Sequence, residues 1–466
     1  MDVDDPAAFT ARDRPASQST PATKPRRENK LDAFLKMDDV SRAEIAWCLR
    51  TVASNLSLRA SSDCIVTMQQ VLTDSEICHK MKFKKDKISY SIVYGIAPHF
   101  ESELYRCENI FVGFDESLNT VSQRSQMDIC VRFLHPNSGE VCWRYLNSSF
   151  LQRTRAVDLL DGLKTALRAT NDIGILRKLE KLSIDGPNVH WKLLRDFNVE
   201  IEALTGTKLI DVGSCGLHVV HLSFKAGMLS TKWNISGVLR AMHQLFRDSP
   251  ARRALFVSSK KSKTPVLFPM PFCGVRLLEN AKPAERALLI LPDLRDFVAH
   301  AKDSNTAVSS SFETVSEALK DKFLGTKLAY FSSTAGLLEP FLREFQTDAP
   351  TAPFLHGELS AIMLTLLRKV VKPEVMNYLN DATKVDLKNK ENLIPVKKFD
   401  IGFAAKDEFR KVKKASDLEI VTLKQQMQTC VIKMIEKLME RSPLKYKFVK
   451  SISCFDPAVA VKPVLG

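Results

Sequence analysis

The stretch from Asn109 to Arg132, NIFVGFDESLNTVSQRSQMDICVR, constrains the fold more than any other part of the chain. Ile110, Phe111, Val112 and Phe114 form a short run of strand formers that meets Asp115, Glu116 and Ser117. A polar turn follows through Asn119 and Gln123. A second run, Met127 to Phe133, alternates in the manner of a half-buried strand. The segment predicts strand, turn, strand, with Asp115 at the end of the first strand. A carboxylate there is costly to bury unless hydrogen bonds or a cation compensate it. Two roles stay open for Asp115 on these grounds: a cap of the turn, or an acid of an active site.

A second acid repeats the arrangement. In Arg177 to Trp191, RKLEKLSIDGPNVHW, the apolar residues Leu179, Leu182 and Ile184 lead into Asp185, and Gly186, Pro187 and Asn188 make the turn. Between the two acids lie a strand candidate, Glu140 to Leu151, and a helix candidate, Ala156 to Thr170, with Val157, Leu159, Leu160, Leu163 and Leu167 as its apolar residues. The order is strand, strand, strand, helix, strand, and an acid closes the first and fourth strands. Two acids brought to one edge of a sheet can bind a divalent metal for phosphoryl transfer.

FDESLN, QMDICVRF, SIDGPNVHWK and VGSCGLHVVHLSFK, in that order, resemble the cut-and-paste DNA transposases of the hAT superfamily, and more narrowly the transposase-derived proteins of animal genomes. The likeness runs from about Leu31 to the C-terminus. It implies an α/β fold: a ribonuclease H-like mixed sheet core with N-terminal helices and a large all-helical insertion. By the resemblance Asp115 and Asp185 match the first two acids of the Asp-Asp-Glu triad, and Cys215 and His218 match the Cys-x-x-His motif as site-supporting residues. Arg276 matches the arginine of an Arg-Trp pair, but Leu277 stands where the tryptophan would handle flipped bases. Leucine has no π-face, and base stacking contributes about 1–3 kcal/mol.

The family's third acid, in a Glu-Arg-x-Phe-Ser motif, has no counterpart here; Glu339 and Glu358 lie in the insertion, not at the matching place. Two-metal chemistry needs carboxylates on both sides of the metal pair. Asp115 and Asp185 are therefore read as a remnant pair, at most a weak Mg²⁺ site. The resemblance implies a transposase-derived nucleic-acid-binding protein without transposition activity. The alternatives are a residual Mg²⁺-dependent nuclease that uses Asp115 and Asp185, or a protein-interaction scaffold. With no helix to cover it where the missing acid would sit, the sheet is expected to expose apolar surface for a protein partner or for self-association.

Charge and composition bear on the partner. The net charge is +14 and the pI about 9.2, a balance that suits a polyanion such as DNA. Lys82, Lys84 and Lys85 surround one aromatic in KFKKDK, and Lys397, Lys398, Arg410, Lys411, Lys413 and Lys414 cluster later in the chain. Each group reads either as a phosphate-binding face or as a solvated one. No C-x2-C with paired histidines occurs, so the family's N-terminal zinc finger is not evident. Cys215, His218 and His221 are spaced by three and would roughly share a helix face, a set of three for zinc without an evident fourth ligand.

The chain shows no run of about twenty apolar residues and begins without a signal peptide's apolar core. Its ten cysteines follow no regular spacing, which fits a reducing compartment. The expected setting is the nucleus. The expected organisation is a disordered tail over 1–30, with a basic Lys24–Lys30 cluster, then helices over 31–106 and the sheet core over 107–225. The helical region over 226–450 follows, basic toward its end, and a tail over 451–466 closes the chain. Lys208 to Val212 and Leu217 to Phe224 are read as late strands, and Phe312 to Thr326 and Pro373 to Leu444 as helical.

Overall fold

The computed structural model describes residues 30–461, apart from 105, 169–172, 263–264, 275, 304–308, 348 and 379–380. Residues 1–29 of the expected 1–30 tail, with all of its basic cluster but Lys30, and the end of the C-terminal tail lie outside the described residues. The chain divides into two compact units, Met1–Glu103 and Leu104–Gly466.

The first unit is helical: α1 (Lys30–Ala53), α2 (Leu58–Val71), α3 (Glu76–Lys80), α4 (Lys85–Tyr90), a π-helical turn over Ser91–Ile96, and the start of α5 (Ala97–Leu104). Its small core gathers Cys48, Ile65, Met81, Phe83 and Ile88. Phe83 is the buried anchor of the KFKKDK loop, so Lys82, Lys84 and Lys85 on either side of it turn to solvent.

The second unit opens with a four-stranded mixed sheet of order β3-β2-β1-β4, built from β1 (Ile110–Asn119), β2 (Arg124–Leu134), β3 (Val141–Leu151) and β4 (Leu179–Ser183). The first three strands are antiparallel, and β4 runs parallel to β1. Alternation decides the faces: Ile110, Val112 and Phe114 on β1 and Met127, Ile129, Val131 and Phe133 on β2 are all buried. They pack with Leu159, Leu163 and Leu167 of α6 (Ala156–Arg168) and Leu193, Phe197 and Ile201 of α8 (Asn188–Thr205), while the short α7 (Ile173–Arg177) links α6 to β4. On the other face Phe111, Trp143, Tyr145 and Phe150 are 37–62% exposed.

The late strands and the end of the first strand differ from expectation. The first strand does not end at Asp115; it runs on to Asn119, because Glu116 to Asn119 continue the ladder against Arg124 to Met127. Leu217 to Phe224 is not a strand but part of α9 (Gly216–Ser230). That helix belongs to the helical core, into which Val219, Val220 and Phe224 pack. Lys208 to Val212 is not a strand of the sheet either. It runs beside β4 as an irregular segment, through hydrogen bonds from Ile210 N to Glu180 O (2.8 Å) and from Cys215 N to Ile184 O (3.1 Å).

The remaining helices are α10 (Ile235–Arg247), α11 (Pro250–Ser259), α12 (Ala281–Leu289), α13 (Leu291–Asp303), α14 (Ser310–Ala318), α15 (Leu324–Gly336), α16 (Glu339–Phe345), α17 (Leu355–Val370), α18 (Pro373–Asn377), α19 (Phe403–Arg410), α20 (Asp417–Arg441), α21 (Lys447–Ile452) and α22 (Pro457–Ala460), the last two placing helix in the expected tail over 451–466. Helix α9 lies close against α20: a Cβ on Gly227 would meet Met434 Cγ at 2.4 Å and the Cys430 carbonyl at 2.7 Å. Ser223 Oγ also donates to Met434 O between the same two helices (2.8 Å). The expected single helix over 312–326 is two, because Asp321 Oδ1 accepts from Phe323 N at the break (2.9 Å). Between α18 and α19 the chain is three 3-10 turns closed by a Val371–Leu393 bridge, not a helix.

Candidate functional site

The sheet register brings the two expected acids to one level. Val112 pairs with Leu182 and Gly113 with Ser183 along parallel β1 and β4; two residues further on stand Asp115 and Asp185. Asp185 lies just past the strand end, and burial pushes its carboxyl up. His218 opposes that rise, the negative charge of Asp115 adds to it, and His190 and Arg276 oppose it more weakly. Asp115 is exposed, and its Oδ1 accepts from Glu116 N (3.0 Å).

Cys215 is the N-cap of α9, and its N–H bond to Ile184 O ties the helix start to the end of β4. Gly213 makes this approach practicable. Its φ is +77°, and a Cβ there would lie 2.6 Å from the Tyr446 ring. One turn into α9, His218 Nε2 stands 3.4 Å from Asp185 Oδ2. Burial alone would raise the Cys215 thiol, but the interaction with His218 outweighs it and the thiol is pushed down. His218 is pushed up, by Cys215 first, against burial, and then by Asp185. Arg276 bonds Glu279 (3.2 Å) and acts on Asp185, His218 and His221 from the segment before α12. Leu277 beside it packs against the helical core.

Asp115, Asp185, Cys215, His218 and Arg276, far apart in sequence, therefore share one neighbourhood. Three further residues belong to it that local pattern did not reveal. Glu116 points to the opposite face from Asp115, and its carboxylate accepts from His190 Nε2 at 2.7 Å; both side chains are largely buried. Asp128 faces Asp115 across the β1–β2 ladder. Its Oδ1 accepts from Gln126 Nε2 (2.6 Å) and from Ser148 Oγ. Arg441, at the end of α20, donates to Gly186 O (3.1 Å) and Asn188 Oδ1 (3.0 Å), holding the turn that follows Asp185. The alternation of FDES against QMDIC is the signal that could have found Asp128, which shares the face of Asp115; no local pattern marks Arg441.

The residues do not make a metal centre. Among the described residues no three His, Cys, Asp or Glu side chains are placed to hold a metal ion. The zinc set Cys215, His218 and His221 is corrected accordingly: Cys215 and His218 engage one another, whereas both ring nitrogens of His221 are buried without a hydrogen-bond partner. Asp115 and Asp185, expected as a weak Mg²⁺ pair, stand level at the sheet edge; Asp185 Oδ2 lies 3.4 Å from His218 Nε2, and Asp128 beside Asp115 accepts from Gln126 and Ser148.

The expected nucleic-acid contacts lie elsewhere. Lys82, Lys84 and Lys85 are exposed in the first unit. In the second, Lys397, Lys398, Arg410, Lys413 and Lys414 are exposed. Lys411 is exposed as well, but it is drawn to Glu408 and Asp407 of the helix it caps. A cleft of about 520 Å³ opens between α9–α10 and α14–α15, lined by Trp233, Asp321, Lys327 and Gln426 among others, and none of the residues above reaches it. No helix among the described residues is long and apolar enough to cross a membrane. No protein-family model matches the chain, and no curated protein matches it.

Proposed function

We propose that the chain is a transposase-derived, nucleic-acid-binding protein with a ribonuclease H-like core, acting in the nucleus, in which the acidic pair no longer cuts. The observation that carries this reading is the register of β1 and β4. It sets Asp115 level with Asp185 and leads the chain back to Cys215 and His218 at the same edge, the four residues that the hAT resemblance singles out. The strand order β3-β2-β1-β4, antiparallel except for β4, is in keeping with a ribonuclease H-like sheet. Binding rests on the exposed cations Lys397, Lys398, Lys413 and Lys414, which have no acidic partner among the described residues, and on the +14 balance.

A mobility-shift titration of duplex and single-stranded DNA at 50 and 200 mM salt tests this reading. Binding should weaken with salt, and replacing Lys397, Lys398, Lys413 and Lys414 by Gln should reduce the log–log salt slope by roughly 0.9 for each phosphate no longer neutralised. Asp115→Ala should leave binding unchanged. No retention of either DNA at 50 mM salt overturns the binding half. Metal-dependent plasmid nicking that disappears in both Asp115→Ala and Asp185→Ala overturns the non-cutting half.

A further inference from the structure

We propose that the open face of the sheet is a stacking platform for single-stranded nucleic acid: bases lie on Trp143, Phe111 and Tyr145, and the phosphates between them meet Arg132 and Lys181. The inference rests on the reading of the chain as a nucleic-acid-binding protein. It deepens that reading by naming a surface apart from the exposed lysines, and the form of nucleic acid that this surface takes.

The register builds the platform. Phe111 of β1 pairs with Arg132 of β2 and with Lys181 of β4, and Arg132 pairs with Trp143 of β3. Residues level with one another in a ladder share a face. One row across all four strands therefore reads Trp143, Arg132, Phe111, Lys181, with aromatics and cations in alternation. Tyr145 stands one step further on the same face, level with Cys130 and Gly113. Trp143, Phe111 and Tyr145 are 54%, 37% and 62% exposed, and Arg132 and Lys181 are half-buried. The indole of Trp143 lies along the sheet rather than standing out from it. Its strand is two places from β1, about 10 Å away, yet a Cβ on Gly113 would meet its ring at 3.5 Å. Burial pushes the Lys181 ammonium down, so Arg132, charged at any working pH, is the firmer of the two cations.

The chemistry of this row selects its occupant. Every base has a π-face, and an aromatic side chain stacks on it whatever the sequence. In a duplex those faces are already stacked on one another. Nor can the platform enter a groove, since four strands span about 14 Å and the major groove is about 12 Å wide. An apolar protein surface would cover Arg132 and Lys181 and leave them unmatched, which is costly; phosphates match them. The same face carries the acids Asp115, Asp128 and Asp185. Each stands four residues along its strand from the row, a distance of about 13 Å. That exceeds the Debye length of about 8 Å at physiological salt. The acids thus bound the phosphate path on one side and leave the row itself positive.

The test is fluorescence anisotropy of the full chain in 150 mM salt with a labelled fifteen-nucleotide oligothymidylate and with a duplex of the same length. Trp143→Ala should weaken binding of the single strand about five- to 150-fold, equivalent to the loss of one stacked base, and leave the duplex unchanged. Trp143→Phe keeps a π-face and should restore most of the affinity. Arg132→Gln should lower the log–log salt slope by roughly 0.7, for the single strand only. Replacing Lys397, Lys398, Lys413 and Lys414 by Gln should weaken duplex binding and leave the Trp143 effect on the single strand in place. Circular dichroism and retained duplex binding show each aromatic variant to be folded. Single-strand binding that survives both Trp143→Ala and Phe111→Ala, with the duplex still bound, overturns the platform and leaves the nucleic-acid reading standing. No binding of either DNA at 50 mM salt overturns both. Self-association in sedimentation that Trp143→Ala abolishes, with single-strand binding untouched, gives the face to a second copy of the chain and overturns the proposal as well.

Discussion

The sheet region and the helical region of the second unit solve burial in opposite ways. The sheet hides one face against α6 and α8 and leaves Phe111, Trp143, Tyr145 and Phe150 open on the other. The helical region encloses its central elements: on α15, Leu324, Leu328, Tyr330, Phe331 and Ala335 are all buried, and α9 is gripped along α20. A helix buried on several sides tolerates little change, because close-packed neighbours cannot relax into a gap. A sheet with a free face can carry carboxylates such as Asp115 at its surface without that cost. The candidate chemistry accordingly lies at the seam, where β4 ends, α9 begins and Arg441 of α20 reaches across.

The aromatic cluster of the helical region sets the largest expected difference. Phe246 is 1% exposed and meets Phe256 at 5.1 Å and Phe297 at 5.2 Å between ring centroids. Phe246→Ala should cost about 3–5 kcal/mol in urea unfolding. Trp143→Ala, on the open sheet face, should stay within about 0.5 kcal/mol. Comparable destabilisation by the two would mean that the sheet face is covered, and that the two regions bury their apolar surface alike.

Ion pairs extend the same comparison. Lys260 Nζ and Asp293 Oδ2 stand 3.2 Å apart in the helical region with side chains only 4% and 7% exposed, and Lys260 also donates to Pro265 O. Lys260→Ala strands a buried carboxylate and should cost roughly 3 kcal/mol or more. Its counterpart beside the sheet, Lys164 with Glu200, is partly exposed, and Lys164→Ala should cost less than about 1 kcal/mol. Chemical unfolding of both variants measures the pair of values; equal destabilisation would refute the difference in burial.

Glycine gives a smaller but sharper probe. Gly227→Ala forces a methyl into Met434 and the Cys430 carbonyl and should cost about 1–3 kcal/mol. At Gly113, in the middle of β1, a Cβ would meet Trp143 and Ser183 at ordinary distances of 3.5 and 3.7 Å. Gly113→Ala should therefore be neutral or slightly stabilising. A large destabilisation at Gly113 would show the open face to be tighter than its exposure indicates.

How much of the molecule is legible in its sequence depends on the range of the interaction. The hairpin follows from period-two alternation, and β4 follows from the short run into Asp185, since both patterns are local. Helix α9 reads as a strand in sequence because Leu217, Val219, Val220 and Phe224 offer no polar stripe, and burial from several directions removes the amphipathic period by which a helix is recognised. The continuation of β1 past Asp115 is hidden by polar residues that are held in the ladder by β2 alone. Lysine-rich 373–402 reads as helical, yet Asp381 and Asn389 each cap a 3-10 turn with their own side chains, the competition with helix that such residues provide. Glu116 with His190, and Arg441 with Gly186, join positions too distant for any local pattern to reveal.

Acid titration compares the two regions last and most finely, through one carboxyl in each that moves in the opposite direction: Glu419 is pushed down and Asp185 up. Glu419 is bonded by Lys322 and closes a capping box with Ser416 at the start of α20, and these bonds, that of Lys322 first, push its carboxyl down to about 2 from an ordinary 4.5. A carboxyl depressed by folding contributes stability above the unfolded value and loses it as pH falls through the folded one. The stability gap between wild type and Glu419→Gln should thus be steady at pH 6–7, narrow below about pH 4.5, and close near pH 2. Asp185 behaves inversely: burial raises it, so acid that weakens the α20 clamp relieves the charge at the end of β4. Asp185→Asn should accordingly lose any stabilising effect as pH falls. Melting curves of the two variants from pH 3 to 7 should converge on wild type from opposite sides, Glu419→Gln from below and Asp185→Asn from above. Convergence from the same side would mean that the Asp185–His218 contact outweighs burial, and that the sheet edge is held together by charge just as the helical region's clamp is.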